Sequence, residues 1–191
     1  MEFTKVYNRL CSRYFKHKLP LVIVCLSTVV LTCCSLFEEK YVCPRIGLIE
    51  QAHQTIYYRS SEGHDLTDVA HEVVIENITY ECEYDFDGDE SSVEIFLNVL
   101  ISARRGPAAT DNMVKIPFFV AIADSEKNVL SKDIFTSAIG FSGNETSSMA
   151  VEELVIAIPF NSQQDIYKFK AYLGLQLTSE QFEDYKLGRD R

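Results

Sequence analysis

The stretch VAHEVVIENITYECEYDF, Val69–Phe86, decides the fold expected for this chain, because its apolar residues alternate but change parity midway. Its first half places Val73 on one side of an extended strand, and its second half places Ile78 and Cys82 on the other side. A strand with one buried face accommodates such a change only at a bulge or bend. The sequence therefore predicts a long strand that bends at Glu76-Asn77 and carries Cys82 on its apolar face.

Other segments on both sides of this strand show the same two-residue alternation of apolar and polar residues. Turn signals such as Arg105-Gly106-Pro107 separate them. About seven strands in a domain of this size predict an all-β fold, an immunoglobulin-like antiparallel β-sandwich. Thr178 to Gln181 matches a capping box, which predicts a short C-terminal helix at the edge of the sandwich. The further predicted strands cover residues 46–58, 93–101, 116–122, 129–135, 154–160 and 167–177.

Charge divides the chain at about residue 34. The first 34 residues contain five Lys and Arg against one Glu, a net charge of +4, which leaves 13 basic and 27 acidic residues and a net charge of −14 for the rest. So acidic a body is repelled by phosphate backbones, because nucleic-acid binding depends on clustered Lys and Arg. Nucleic acid is therefore not expected as a partner.

An uncharged, mostly apolar run follows the basic N-terminus, from Leu19 to Phe37. Its length fits either the hydrophobic part of a cleaved secretory signal or a short uncleaved membrane helix. The basic residues before it predict a cytoplasmic N-terminus and an exported body in both cases. The expected organisation is a signal peptide or membrane anchor at residues 1–34, a tether at 35–42 and a single domain at 43–191.

The run Leu31-Thr32-Cys33-Cys34 at the end of this segment resembles the lipobox of bacterial lipoproteins, in which a cysteine after Leu and small residues is acylated. Cys34 is the predicted lipidation site, with Cys33 as the alternative, because Cys33 stands where the lipobox has a small residue. Acyl chains on that cysteine would anchor the protein in a bilayer. The resemblance implies a membrane-anchored envelope protein that faces the periplasm.

Cys43 and Cys82 are the two cysteines left in the exported body, since Cys11 and Cys25 fall within the presumed signal. An even pair in an oxidising compartment is predicted to form a disulfide. The alternative is a pair of buried free thiols. No Cys-x-x-Cys spacing supports a zinc site.

Two groups of potential metal ligands have the wrong spacing for known sites. In the acidic cluster Asp85–Glu90, Gly88 is fourth where a calcium loop needs a glycine sixth, and a hairpin turn at Asp87-Gly88 accounts for the acids better. His53, His64 and His71 match no metal-ligand spacing. No metal and no cofactor is therefore predicted.

No pattern typical of a catalytic site occurs either. The segment Gly140–Gly143 brings its second glycine one residue too early for a nucleophile elbow. The sequence therefore predicts no catalytic residue and favours a non-enzymatic binding or scaffold module. The alternative is an enzyme or metal carrier whose site is assembled from loops.

Arg104 and Arg105 form the basic pair in the acidic body. They are the candidate contact residues for an anionic partner, such as lipid headgroups or an acidic protein surface. The other interpretation is a solvated loop.

Over nearly all of the predicted mature chain, the sequence resembles an uncharacterised family of alphaproteobacterial envelope lipoproteins. That resemblance implies an envelope location, and it implies no activity because the family has none assigned. The segments that carry it are Cys43-Pro44-Arg45, Asp65–Ala70, the strand around Cys82, Arg105–Ala109, Pro117–Val120 and Gly174–Thr178.

Overall fold

The computed structural model describes residues 42–59, 65–87, 90–160 and 168–188 of the chain. The predicted signal or anchor at residues 1–34, with Cys33 and Cys34, lies outside these ranges, as does most of the 35–42 tether. Within the described ranges, no helix is both long enough and apolar enough to span a bilayer. From Val42 onward the chain forms one compact unit.

Two four-stranded sheets and one short helix make up the described residues. One sheet has the strand order β1-β8-β5-β6 and the other the order β2-β3-β4-β7. Neighbouring strands are antiparallel except for β1 and β8, which are parallel. Short 3-10 turns cover Glu50–Ala52 and Leu66–Asp68. The elements are β1 (Arg45–Leu48), β2 (Gln54–Tyr58), β3 (Val69–Asp87), β4 (Glu90–Arg105), β5 (Met113–Ala123), β6 (Val129–Gly140), β7 (Ser147–Phe160), β8 (Lys170–Leu175) and α1 (Ser179–Lys186).

The predicted bend in β3 is confirmed. The register of β3 against β4 shifts between Ile75 and Asn77, so Glu76 is the extra residue of a bulge. The bulge lets Ile75 and Cys82 pack against the same core although their positions differ in parity. The change of parity in the sequence therefore corresponds to the bulge in the strand.

The core lies between the two sheets, so the predicted all-β sandwich is confirmed. Val93 and Ile95 of β4 meet Phe118 of β5 and Leu173 of β8 in one cluster of buried side chains. Each of these four residues has no exposed side-chain surface in the fold. Burying such side chains contributes about 1.5 to 3 kcal/mol each, the main favourable term of folding.

The prediction of one strand over residues 46–58 is wrong. The chain forms β1 in one sheet, makes the 3-10 turn Glu50–Ala52, and enters the other sheet as β2. Buried Ala52 sits at the crossing, where a Cβ on Gly174 would lie 2.9 Å from the Ala52 Cβ. Small residues in the turn and on β8 allow the chain to change sheets at this point, and the sandwich gains an eighth strand.

The other predicted strands occur with different ends. β6 continues five residues beyond the predicted end to Gly140, and β7 begins at Ser147 rather than at residue 154. β8 begins at Lys170, and the first residue of its predicted span, 167, lies outside the described ranges.

Helix α1 begins at the predicted capping box. The Thr178 hydroxyl accepts from the Gln181 backbone N–H at 3.2 Å, and the Gln181 side chain accepts from the Thr178 N–H at 2.9 Å. The helix packs against β2, an edge strand, as predicted. Asp184 is its buried residue, whereas Phe182 stays 40 % exposed.

Candidate interaction surface

The predicted disulfide is confirmed and fixes the start of the domain to β3. Cys43 and Cys82 are joined across 39 residues of sequence. Beside them, the Tyr84 hydroxyl donates a hydrogen bond to the Val42 carbonyl oxygen at 2.8 Å. The disulfide and this hydrogen bond therefore hold Val42 and Cys43, the first described residues, against β3.

The acidic cluster belongs to the β3–β4 hairpin, as the turn interpretation predicts. Asp87 ends β3 and Glu90 begins β4, and the two residues are register partners. Gly88 and Asp89 lie outside the described ranges. The acids at the two strand ends therefore flank the hairpin turn.

Arg104 lies on the outward face of β4 and is ion-paired across the sheet. Its guanidinium donates to the carboxylate of Glu72, its register partner on β3. The Arg104 side chain remains 66 % exposed, so the pair is a surface one and contributes little to stability. On its other side Arg104 neighbours Ser147, the first residue of β7.

Arg105 makes different contacts from Arg104, because its side chain faces the stacked rings of Phe141 and His71. Its guanidinium carbon lies 5.6 Å from the centre of the Phe141 ring, and His71 stacks on the same ring at 5.7 Å. His71 is only 6 % exposed, and its Nε2 has no hydrogen-bond partner among the described residues. Burial lowers the pKa of the His71 imidazole, the positive charge of Arg105 lowers it further, and Asp111 acts in the opposite direction.

A close backbone approach holds this end of the sandwich together. Gly106 donates to the Ala70 oxygen at 2.8 Å, and Ala108 donates to the Val69 oxygen at 2.9 Å. A Cβ on Gly106 would lie 2.2 Å from the Val69 oxygen, a distance that no side chain can occupy. The predicted turn at Arg105-Gly106-Pro107 thus needs glycine for its contact with β3.

The structure separates the histidines that it describes. The Ile75 backbone N–H donates to the His53 carbonyl oxygen at 2.8 Å, so His53 lies beside Ile75 of β3. His71 lies on β3 itself, four residues before Ile75, and is the register partner of Tyr57. Four strand residues span about 13 Å. His64 lies outside the described ranges. Among the residues that are described, no three potential metal ligands cluster.

β7 is an edge strand with an exposed apolar side, and β6 in the other sheet also exposes large apolar residues, at Val129, Leu130 and Ile134. β7 is 14 residues long and pairs with β4 alone within the described ranges, so its other edge carries backbone groups without a neighbouring strand. Its outward side chains include Met149, Val151 and Val155, which are 68 %, 58 % and 61 % exposed. Unpaired edges of this length are sites at which another chain adds a strand.

The outward apolar row of β7 continues onto β4. Val155 pairs with Phe96, itself 36 % exposed, and Val151 pairs with Leu100. Glu153 interrupts the row and pairs with Asn98. The result is an apolar patch two strands wide with one carboxylate near its middle, which we call the β7 face.

The inward row of β7 is also incompletely covered. Leu154 and Ile156 pack against the core but are only partly buried. Glu152 stands between Ala150 and Leu154 in this row and faces Val99 of β4. An inward-pointing charge on an edge strand is a device by which β proteins avoid unwanted strand pairing.

A polar cleft lies beside the contact between α1 and β2. It encloses about 310 Å³ and is lined by Tyr57, Gln176, Gln181 and Asp184 among others. Burial raises the pKa of the Tyr57 phenol, and a hydrogen bond with Gln181 partly offsets that effect. Burial in this cleft therefore favours the neutral form of the phenol.

Comparison of the chain with family models, with curated proteins and with solved structures finds no match. The chain is thus placed by its own architecture, an all-β two-sheet sandwich with a disulfide and one short helix.

Sequence reasoning identified Arg104 and Arg105 but missed the residues around them. The alternation of β7 was recognised only from residue 154 onward, so Met149 and Val151 were not assigned to a strand. Ser148 and Glu152 occupy the inward positions there and hide the apolar periodicity. The stacking of His71 on Phe141 joins residues 70 positions apart, and no local signal predicts it.

Proposed function

We propose that the protein is a membrane-anchored envelope lipoprotein whose sandwich domain binds another envelope protein on the periplasmic side. The observation that carries this proposal is the β7 face, whose edge has no partner strand among the described residues and whose three large apolar side chains are more than half exposed. Isolated surface hydrophobic residues are ordinary, but several large exposed apolar residues grouped on two neighbouring strands favour an interaction site.

The disulfide supports an exported location. Disulfides persist in oxidising compartments such as the periplasm and are rare in the cytosol. Together with the acidic body and the basic N-terminus, the bond between Cys43 and Cys82 favours translocation of the domain. Acylation at Cys34, with Cys33 as the alternative, remains the proposed anchor.

We propose further that the sandwich is immunoglobulin-like in architecture but has its own strand order. An immunoglobulin constant domain pairs its first, second, fifth and fourth strands in one sheet and the third, sixth and seventh in the other. The order here is β1-β8-β5-β6 and β2-β3-β4-β7. Many cell-surface domains share the sandwich without that topology, and they present edges and loops to partners. Membership of the alphaproteobacterial lipoprotein family is proposed on the sequence resemblance alone.

A non-enzymatic binding role fits the chemistry of the β7 face, which combines apolar side chains, backbone groups and one carboxylate, that of Glu153. Arg104 borders the face at Ser147 and is proposed as a flanking polar contact. Arg105, which packs over Phe141, is proposed to orient the loop beside it.

Mass spectrometry of the N-terminal peptide tests the anchor. We expect a mature chain that begins with acylated Cys34 and partitions with membranes. Cys34→Ser should release the protein from membranes, and Cys33→Ser should leave it anchored. An unmodified Cys34 still joined to Cys33 would refute the lipoprotein proposal.

A further inference from the structure

The middle of β7 carries two adjacent acids that face opposite sides of the sheet. Glu153 points outward within the apolar row, and Glu152 points toward the core side. Both lie near the centre of Ser147–Phe160, where any added strand would have to pass them. The apolar residues on both sides of the two glutamates favour the addition of a strand. The negative charge of the glutamates determines which segment can be added.

Two copies of this chain are poorly matched at the β7 edge. Residues directly opposite in an antiparallel pair share a face, so outward positions of one copy meet outward positions of the other. In the two registers that pair most of β7 with itself, Glu153 faces its own counterpart directly or on the diagonal. Like charges in such pairs are destabilising, and the net charge of the chain, −10, adds to the repulsion.

β6 is an edge strand of the other sheet and also exposes large apolar side chains, at Val129, Leu130 and Ile134. The charges at its middle differ, because Lys132 and Asp133 stand where β7 has two glutamates. Lys132 projects from its middle and lies 4.1 Å from the centre of the Phe119 ring. A lysine on an edge strand is a further protection against strand addition. The edges at β6 and β7 are therefore not equivalent, because β7 is the longer strand and carries two adjacent acids in place of a Lys-Asp pair.

We propose that the β7 edge accepts an extended segment of a different protein, with apolar residues at alternate positions and two adjacent basic residues opposite Glu152 and Glu153. This inference rests on the proposed binding function and specifies its partner. Backbone hydrogen bonds along β7 provide affinity, and the opposite charges set register and exclude self-pairing.

Two synthetic decapeptides test this inference on the full chain in detergent micelles. In antiparallel pairing, VTVTKKVTVT places valines opposite Met149, Val151, Val155 and Ala157 and lysines opposite the two glutamates. VTVTEEVTVT is the matched control. Hydrogen exchange, read on the fragments covering residues 147–160 and 129–140, reports which edge is occupied.

We expect the lysine peptide to slow exchange in residues 147–160 and to leave 129–140 unchanged. Two attractive cross-strand pairs in place of two repulsive ones should make it bind about tenfold more tightly than the glutamate peptide. Glu152→Gln with Glu153→Gln should abolish that preference, and an unchanged melting temperature would show that the variant is folded.

Equal binding of both peptides, protection of β6 instead of β7, or binding of neither peptide would overturn the inference. A wild-type dimer with β7 protected in the absence of peptide would overturn it too, because a second copy would then be the occupant. These outcomes leave the anchor proposal intact, since acylation of Cys34 is measured separately.

Discussion

β4 and β7 are neighbouring strands with the same alternation of apolar residues, and they differ in how that alternation is used. On β4, Leu97 and the other core-facing aliphatic residues are at most 1 % exposed. On β7, Leu154 is the register partner of Leu97 and is only partly buried, while Val151 and Val155 face solvent. A central strand has neighbours on both sides, whereas an edge strand has one. We call the buried core around β4, with the contacts that hold it, the closed region, which stabilises the fold. We call the partly covered β7 side the open region, which is available for binding.

The largest expected effect lies in the closed region, at the disulfide. Replacing both Cys43 and Cys82 by Ser removes a 39-residue cross-link and should lower the free energy of unfolding by about 4 kcal/mol, in the chain-entropy model. Chemical denaturation of the full chain in detergent measures the loss. Binding of the lysine peptide to β7 should persist where the variant is folded, and a loss below about 1 kcal/mol would show that the closed region does not depend on this bond.

Two leucine-to-alanine substitutions test the difference between the closed and the open region directly. Leu97→Ala should cost about 3 kcal/mol because it leaves a cavity in a fully buried site, whereas Leu154→Ala should cost about half as much. Both residues are leucines, and they sit opposite each other on the same face. Equal losses in denaturation experiments would contradict the view that the β7 side is open.

Two glycines give a smaller contrast. Gly106→Ala should destabilise the fold by about 2 kcal/mol, since the new methyl group would collide with the Val69 carbonyl oxygen. Gly140→Ala is the control, because its Cβ would have the Asn112 carbonyl oxygen as the nearest atom at 3.9 Å. Thermal unfolding of both variants measures the difference, and similar melting temperatures would show that the turn moves aside at little cost.

The smallest effect is a dependence on pH that arises in the closed region. The folded pKa of His71 lies below the ordinary value of 6.5, so the unfolded chain binds the proton more readily. The stability linked to this residue is therefore complete above pH 6.5 and is lost as the pH falls from there through the folded pKa. His71→Phe keeps a ring on Phe141 and removes the titration.

Denaturation of wild type and His71→Phe at neutral pH and at mildly acidic pH isolates this contribution. We expect the difference between them to shift in favour of the variant as the pH falls. Arg105→Gln in the wild-type background should reduce the dependence, since Arg105 is one of the causes of the lowered pKa. A constant difference would mean that His71 does not titrate in this range.

The sequence predicted the closed region better than the open one, for physical reasons. The β3 bulge is encoded locally, because apolar residues of opposite parity at Val73 and Ile78 can share one core only if the strand gains a residue or bends between them. The capping box at Thr178 is equally local, and the disulfide was predicted from the number of cysteines and the expected export of the domain. Each depends on residues whose chemistry leaves few alternatives.

The errors arose where tertiary contacts decide. The alternation over residues 46–58 does not reveal that the chain changes sheets at Ala52, since that crossing depends on space next to Gly174. On helix α1 the apolar Phe182 stays partly exposed and Asp184 is buried instead, at the polar cleft beside β2. Whether a strand is central or at an edge depends on its partners, so the β7 face could not be identified from its own residues.

The most direct test of the binding role of β7 is site-specific photocrosslinking from two outward positions in cells that export the chain. A photoreactive side chain at Val155 lies on the β7 face, and one at Thr79 lies on the same sheet, on the outward side of β3. We expect a discrete adduct with an envelope protein from position 155 and none from position 79. No adduct from position 155, or equal adducts from both positions, would contradict that role.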